Sequence, residues 1–223
     1  MKKAIVESRA WLSRLTLLVL FLPAFVTCAR YQENHSAEVK DSMPKAQTPG
    51  QSEVFPKKVN LSHKDREAWR KIIKWPQSCE EAFDNTMSKE TAGLEFYELA
   101  EKQYLVEVIC TLGAYQGFQV YSYLDETKSP PSAKLLTFQT YESEYDNKLE
   151  KKESEELLGL AEFDFKTKQL TILNKFRGLG DCGTLATYGF QGGDVQLIEL
   201  RAKLTCDGRG VENPKTWRKI ALP

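Results

Sequence analysis

The feature that most restricts this chain is a change of period: beyond Ala100 the apolar residues recur at every second position, and no intervening segment has the length or pattern of a crossover helix. Tyr104, Val106, Val108, Cys110 and Leu112 alternate with Leu105, Glu107, Ile109 and Thr111, which sends side chains to two opposite faces of a strand. Gly113-Ala-Tyr-Gln-Gly117 then turns the chain into Phe118–Leu124, and the two runs read as a hairpin. Leu135–Tyr141 reads as a further strand. Leu160–Phe165 faces Leu170–Phe176 across Lys166-Thr-Lys-Gln169, and Thr184–Phe190 faces Val195–Leu204 across Gly192-Gly193. Parallel strands need long crossovers and these connections are short, so the strands pair antiparallel. The expected fold is α+β and mainly β: an antiparallel sheet of hairpins, sandwich- or barrel-like, with one N-terminal amphipathic helix.

That helix runs from Ser62 to Trp75. Ser62 is an N-cap residue with acidic residues in the first turn after it, Trp69, Ile72, Ile73 and Trp75 fall at helical spacing, and Pro76 stops the element. A short helical turn is expected at Ser78–Phe83. The charge-dense stretch Glu142–Glu156 and the segment Asp125–Lys134, which carries Pro130-Pro131, read as solvated connections.

The first residues read as an export signal. Met1-Lys-Lys with Arg9 and Arg14 supplies a positive region, and Leu15–Val26 is an apolar run too short for a bilayer span of roughly 20 residues. Phe25-Val26-Thr27-Cys28 resembles a lipobox in which Cys28 is acylated, although Phe25 and Thr27 depart from its usual residues; a cut after Ala29 is the alternative. Residues 29–58 are polar, with little aliphatic periodicity, and read as a flexible tether. The expected organisation is a signal peptide over 1–28, a tether over 29–58 and one disulfide-containing β-rich domain over 59–223. Removing Lys2, Lys3, Arg9, Arg14 and Glu7 from 31 basic and 31 acidic residues leaves the remainder slightly acidic, which argues against a nucleic-acid role.

Export makes cysteine pairing the expectation. Cys79, Cys110, Cys182 and Cys206 allow three pairings, and adjacency in sequence favours Cys79–Cys110 with Cys182–Cys206, each contributing about 3–4 kcal/mol in a chain-entropy picture. No C-x-x-C pair is present, so no metal is expected. Cys182 lies inside Gly178-x-Gly180-x-x-Gly183, the spacing of a dinucleotide fingerprint. A nucleotide loop needs a helix to begin there, yet Thr184–Phe190 reads as a strand and Gln191-Gly-Gly-Asp194 follows at once. Neither a nucleotide nor another cofactor is expected. The glycines instead serve a tight bend.

Several of these residues recur together: Trp75-Pro-x-x-Cys79, Cys110-x-x-Gly113-Ala-Tyr115, Phe176-Arg-Gly-Leu-Gly-Asp-Cys-Gly183, Gly193, Cys206-x-Gly208 and Trp217. From about Trp69 onward this set resembles the bacterial envelope family called domain of unknown function 1176. The resemblance implies an exported, disulfide-containing domain and transfers no catalytic residue. Tyr188 and Phe190 stand where that family suggests tryptophan.

Chemistry is sparse. The two histidines, His35 and His63, precede the sheet, so no Ser-His-Asp or Cys-His arrangement can form within it. Glu162, Asp164, Asp181 and Asp194 are carboxylates available to a hydrolase, and a deep cleft with two of them facing would favour that alternative. Arg177 and Asp181 flank the bend, where they either pair to hold it or face a partner. Tyr115, Tyr121 and Tyr123 either pack over the sheet or form an interface. The favoured reading is a non-enzymatic module that binds an envelope protein or cell-wall component, as small disulfide-bonded lysozyme inhibitors do by analogy. A structural lipoprotein, attached to the membrane through a lipid on Cys28, is the third reading. Clustering of Arg177, Asp181 and Tyr115 at the surface would favour binding.

Overall fold

The computed structural model describes residues 56–143, 148–210 and 213–222, which belong to a compact unit spanning Ser52–Pro223. The expected signal segment, Cys28 and the tether as far as residue 55 lie outside the described residues.

Helix α1 is His63–Ile73. Ser62 caps it in a reciprocal box, its backbone N–H donating to Asp65 at 2.7 Å. The helix ends two residues earlier than expected because Lys74 takes a left-handed conformation, φ 59°, and its N–H closes on the Arg70 carbonyl. Helix α2 is Gln77–Thr86, ten residues rather than one turn. Its apolar stripe is thin, with only Cys79, Glu80 and Phe83 buried, so its length does not show in the periodicity.

Eleven strands follow: β1 Leu94–Ala100, β2 Gln103–Leu112, β3 Gly117–Asp125, β4 Ser132–Leu135, β5 Phe138–Ser143, β6 Leu149–Ser154, β7 Glu156–Asp164, β8 Gln169–Lys175, β9 Gly183–Gln191, β10 Asp194–Lys203 and β11 Arg218–Lys219. The expected hairpins β2–β3, β7–β8 and β9–β10 are all present and antiparallel. The main sheet runs β1-β2-β3-β7-β8-β9-β10-β11, with β4 beside β3, and β5–β6 forms a separate two-stranded sheet. The sheet is open and does not close into a barrel: β1 and β11 remain its two ends.

Strand β3 explains this layout. Its second half pairs β4 through Ser122↔Leu135 to Asp125↔Ser132, whereas its first half pairs β7 through Gly117↔Gly159 to Val120↔Glu156. Between those two contacts the chain leaves the sheet as β5–β6 and lies over one face of it. Phe138 of β5 is buried against Tyr188 of β9, at 5.0 Å, and Tyr121 of β3, at 5.6 Å between centroids.

Alternation now assigns two cores to opposite faces. On one face Val106, Val108 and Cys110 of β2 and Val120 and Leu124 of β3 pack with Trp69, Ile73, Trp75 and Cys79 from the helical segment. On the other, Leu105, Tyr121, Tyr123, Leu157, Phe163, Leu170, Ile172, Ala186, Tyr188 and Leu200 pack beneath β5–β6. A register shift between Leu197 and Glu199 lets β10 present Val195 and Leu197 and then Leu200 to the same core. The sheet also curls, because Tyr97 of β1 stacks on Phe163 of β7 at 4.6 Å and Lys168 donates to the Glu98 carbonyl at 2.7 Å.

Three segments differ from the sequence reading. Strand β6 lies inside the expected solvated connection Glu142–Glu156; four of its six residues are exposed, so no alternation marks it. Strand β4 occupies the end of the expected connection Asp125–Lys134 and continues to Leu135. Strand β1 lies ahead of the first period-two run. Lys58, the last residue of the expected tether, is docked on the domain, 2.8 Å from Glu126 and 4.7 Å from the Tyr104 ring centroid.

Candidate functional site

The glycine bend sits between β8 and β9. Gly183 begins β9 directly, so no helix starts within the Gly178-x-Gly180-x-x-Gly183 pattern. Gly183 adopts φ 156°, and a Cβ there would lie 2.2 Å from the Asn174 carbonyl oxygen, which only glycine avoids. The bend closes through Gly180 N–H to the Arg177 carbonyl, 2.9 Å, and Phe176 N–H to the Cys182 carbonyl, 3.2 Å. Cys182 is joined to Cys206, with Cα atoms 4.9 Å apart. The other bridge, Cys79–Cys110, ties α2 to β2. Two disulfides indicate an oxidising location outside the cytoplasm.

Arg177 and Asp181 pair across the bend. Arg177 Nε donates to Asp181 Oδ1 at 2.7 Å, its Nη2 donates to Oδ2, and Gly208 N–H donates to Oδ2 at 2.7 Å. The Arg177 guanidinium, and after it the Gly208 amide, hold the Asp181 carboxyl well below the usual carboxylate range. Asp181 is shut away from solvent, whereas Arg177 stays 44% exposed at the side chain, so only the arginine of this pair is presented outward. Asp181 also converges with Cys182 and Cys206, but both sulfurs are committed to the bridge and offer no thiolate to a metal.

Of the three tyrosines, Tyr121 and Tyr123 are core residues and Tyr115 is at the surface. Tyr115 lies in the β2–β3 turn, and its ring rests against Gly178: a Cβ on that glycine would be 3.4 Å from Tyr115 Cδ1. The next residue, Gln116, clamps the turn to the bend; its Oε1 accepts from Lys175 N–H at 2.9 Å and its Nε2 donates to Asn174 Oδ1 at 3.3 Å. The structure therefore brings Tyr115, Arg177 and Asp181 into adjoining turns but buries Asp181, so only Tyr115 and Arg177 reach the surface there and the expected three-residue surface cluster does not form.

These turns form one end of a groove of about 580 Å³ between the main sheet and β5–β6. Tyr115, Phe118, Tyr141 and Phe176 supply aromatic lining, and Gln116 and Asn174 supply amides. Leu157, Ile172 and Tyr188, which belong to the core beneath β5–β6, also line it. The volume falls within the roughly 300–1,000 Å³ of small-ligand clefts. Nothing in the alternation forecast the groove, because β3's change of partner creates it.

The four carboxylates raised by the sequence do not meet in this groove. Asp164 Oδ1 caps the β7–β8 turn by accepting from Lys166 and Thr167 N–H at 2.7 and 3.2 Å, and those contacts lower its pKa. Asp194 pairs with Lys134 at 3.0 Å and is 85% exposed. Glu162 shares a separate depression with Asp164, Glu199, Arg201 and Lys215.

Two polar clusters were invisible in the sequence. Arg66, fully buried, lies 2.8 Å from Glu80, donates to the carbonyls of Ala92 and Gly93, and stacks on Phe83 at 3.6 Å; Trp75 Nε1 donates to the same Glu80 oxygen at 2.7 Å. Glu107 of β2 accepts from Tyr97 OH of β1 at 2.6 Å and from Tyr121 OH of β3 at 3.1 Å. Burial pushes the Glu107 carboxyl up, the two hydroxyls oppose that shift, and Glu95 adds to it. The first cluster joins α1 to α2 and to the segment before β1, and the second joins the three successive strands β1, β2 and β3. A charged residue in an amphipathic helix or strand gives no local sign of such a partner.

Among the described residues no helix is long and apolar enough to cross a membrane. No solved structure matches the chain. The uncharacterised protein YpfG of Escherichia coli (strain K12) is 30% identical over 119 residues, which are 53% of this chain but 32% of that protein, so the chain spans about a third of the relative's length. The family described as protein of unknown function (DUF1176) matches residues 32–220, and the chain belongs to that family.

Proposed function

We propose that this protein is an exported, non-enzymatic binding module of the cell envelope, membrane-tethered through a lipid on Cys28, whose groove and rim recognise an envelope component. One observation carries the recognition surface. Among the described residues, four of the eight exposed large hydrophobics, Leu112, Tyr115, Phe118 and Leu179, lie in or beside the β2–β3 turn and the glycine bend. Scattered singly, such residues need no explanation; here Tyr115 and Phe118 line the groove and Leu112 and Leu179 lie in the adjoining segments, the composition of a contact site. The Arg177–Asp181 pair and the Cys182–Cys206 bridge keep the bend in place beneath them, and Arg177 adds a charge at the edge.

Capture experiments with the oxidised mature protein test this reading. A ligand retained from fractionated envelope should be lost on Tyr115→Ala combined with Phe118→Ser, with melting temperature unchanged. Retention by that double variant would remove the groove mouth from consideration. Labelling with a radioactive fatty acid tests the anchor: wild type should take up label and Cys28→Ala should not, and equal absence of label from both would leave export without lipidation.

A further inference from the structure

We infer that the groove takes a short neutral oligosaccharide whose sugar ring lies across the exposed face of Tyr115. The inference rests on the binding-module reading and narrows its ligand to one chemical class.

A pyranose presents two kinds of surface. Its faces are C–H groups that pack on aromatic rings, and its edges are hydroxyls that must be hydrogen-bonded when water leaves. Tyr115 meets the first requirement. Its turn is clamped through Gln116 to Asn174 and Lys175, its ring rests on Gly178, and 42% of the residue remains exposed. A ring already immobilised loses little freedom on binding, so the stacking contact is not offset by ordering. The second requirement is met by neutral groups along the same groove: the amides of Gln116 and Asn174, which keep hydrogen-bonding capacity beyond the bonds of the clamp, and the phenol of Tyr141, which itself accepts from Gln139 Nε2 at 2.7 Å.

Charge selects against other polymers. The groove carries Glu142, Glu156 and Lys175, and Glu142 is bridged by Lys152 at 2.6 Å. Among the described residues of the lining the charges nearly balance, Glu142 being met by Lys152 and Glu156 being accompanied by Lys175, so no stripe of like charge is offered to a polyanion or to a cationic chain. The lining is left with aromatic faces and uncharged hydrogen-bonding groups, the combination that suits sugars. A protein ligand is the competing class, and the experiment separates the two.

The full-length oxidised protein is titrated calorimetrically with the trimer of β-1,4-linked N-acetylglucosamine, the trimer of β-1,4-linked glucose, and a trimer of galacturonic acid as the anionic control. The expected result is binding of at least one neutral trimer with a Kd at or below about 1 mM. Tyr115→Ala should weaken it by about tenfold or more, and Tyr115→Phe, which keeps the ring, should stay within about twofold, both with unchanged melting. The assignment is overturned if neither neutral trimer binds at about 10 mM, if the anionic trimer binds more tightly, or if Tyr115→Ala binds like wild type. A protein captured through Tyr115, with no trimer binding, sinks the saccharide assignment and leaves the binding-module reading standing. Loss of Tyr115 dependence in both capture and titration sinks both.

Discussion

The half of the sheet backed by helices and the half covered by the β5–β6 hairpin are sealed by different means. Behind β1–β3, the Cys79–Cys110 bridge is buried, Arg66 and Glu80 are buried as a pair, and Trp69, Ile73 and Trp75 close the face. Over the other half the cover is a hairpin whose strand β6 carries two lysines and two glutamates, one cysteine of the Cys182–Cys206 bridge faces solvent, and a groove remains open. A helix pair can bury a whole face with few residues, because indoles and a guanidinium fill the space between helix and sheet. A two-stranded hairpin is narrower than the sheet face beneath it, to which strands β2, β3 and β7 to β10 all contribute, and leaves its margin uncovered. The first half behaves as scaffold and the second as the presenting surface.

The largest expected effect lies in the scaffold half. Glu80→Gln leaves Arg66 buried without its counter-charge and should cost about 3–5 kcal/mol in urea unfolding, whereas Arg66→Met with Glu80→Leu should recover most of that loss. Arg177→Ala alone would strand the buried Asp181 carboxylate on the Gly208 amide, so the fair comparison removes both charges: Arg177→Ala with Asp181→Asn should cost much less than Glu80→Gln, because the arginine of this pair is partly exposed. Equal losses from Glu80→Gln and from that double variant would break the contrast.

The disulfides sharpen it next. Their sequence separations, 31 and 24, give nearly the same chain-entropy contribution, about 3–4 kcal/mol each. They differ in access. Under limiting reductant, thiol labelling should find Cys182 and Cys206 well before Cys79 and Cys110. The reverse order would mean the hairpin-covered half is the more closed of the two.

The carboxyls respond oppositely to pH. Glu107 has its folded-state pKa raised above the ordinary 4.5, so the native state holds the proton more tightly and stability falls as pH rises through that window; Glu107→Gln should flatten this slope. Asp181 has its folded-state pKa lowered from 3.8, so its contribution is present above the ordinary aspartate range and is lost as pH falls toward the folded value; Asp181→Asn should remove that acid-side loss. Chemical denaturation from pH 3 to pH 8 measures both slopes. Slopes of the same sign would contradict the assigned environments.

The smallest stability effect is expected at the groove. Tyr115→Ala should change unfolding free energy by no more than about 0.5 kcal/mol, because the side chain is partly exposed. A larger loss would make Tyr115 part of the scaffold and weaken its role as a contact residue.

The hairpins β2–β3, β7–β8 and β9–β10, helix α1 and the pairing of cysteines adjacent in sequence were all legible from the chain itself. Each depends on interactions within a few tens of residues: alternation, turn glycines, a capping serine, and loop closure that is cheapest between neighbours. The full length of helix α2, of which only the turn Ser78–Phe83 was expected, and strands β1 and β6 were not, because a thin apolar stripe, a short half-buried run and a charged edge strand carry no strong period. Even Arg177 with Asp181 was legible as a pair, since both lie in one bend.

What only the tertiary structure decided is where these pieces face. The division of β3 between β4 and β7, the groove that division opens, the burial of Asp181 beside an exposed Arg177, and the meeting of Arg66 with Glu80 and of Glu107 with two tyrosines all depend on contacts between separate elements. Period-two alternation states that a strand has two faces, but it is silent on what covers either one. The cover is set by strand order and by the chain between strands. Those are properties of the packed whole, in which a charged residue becomes core or surface according to the partner that reaches it.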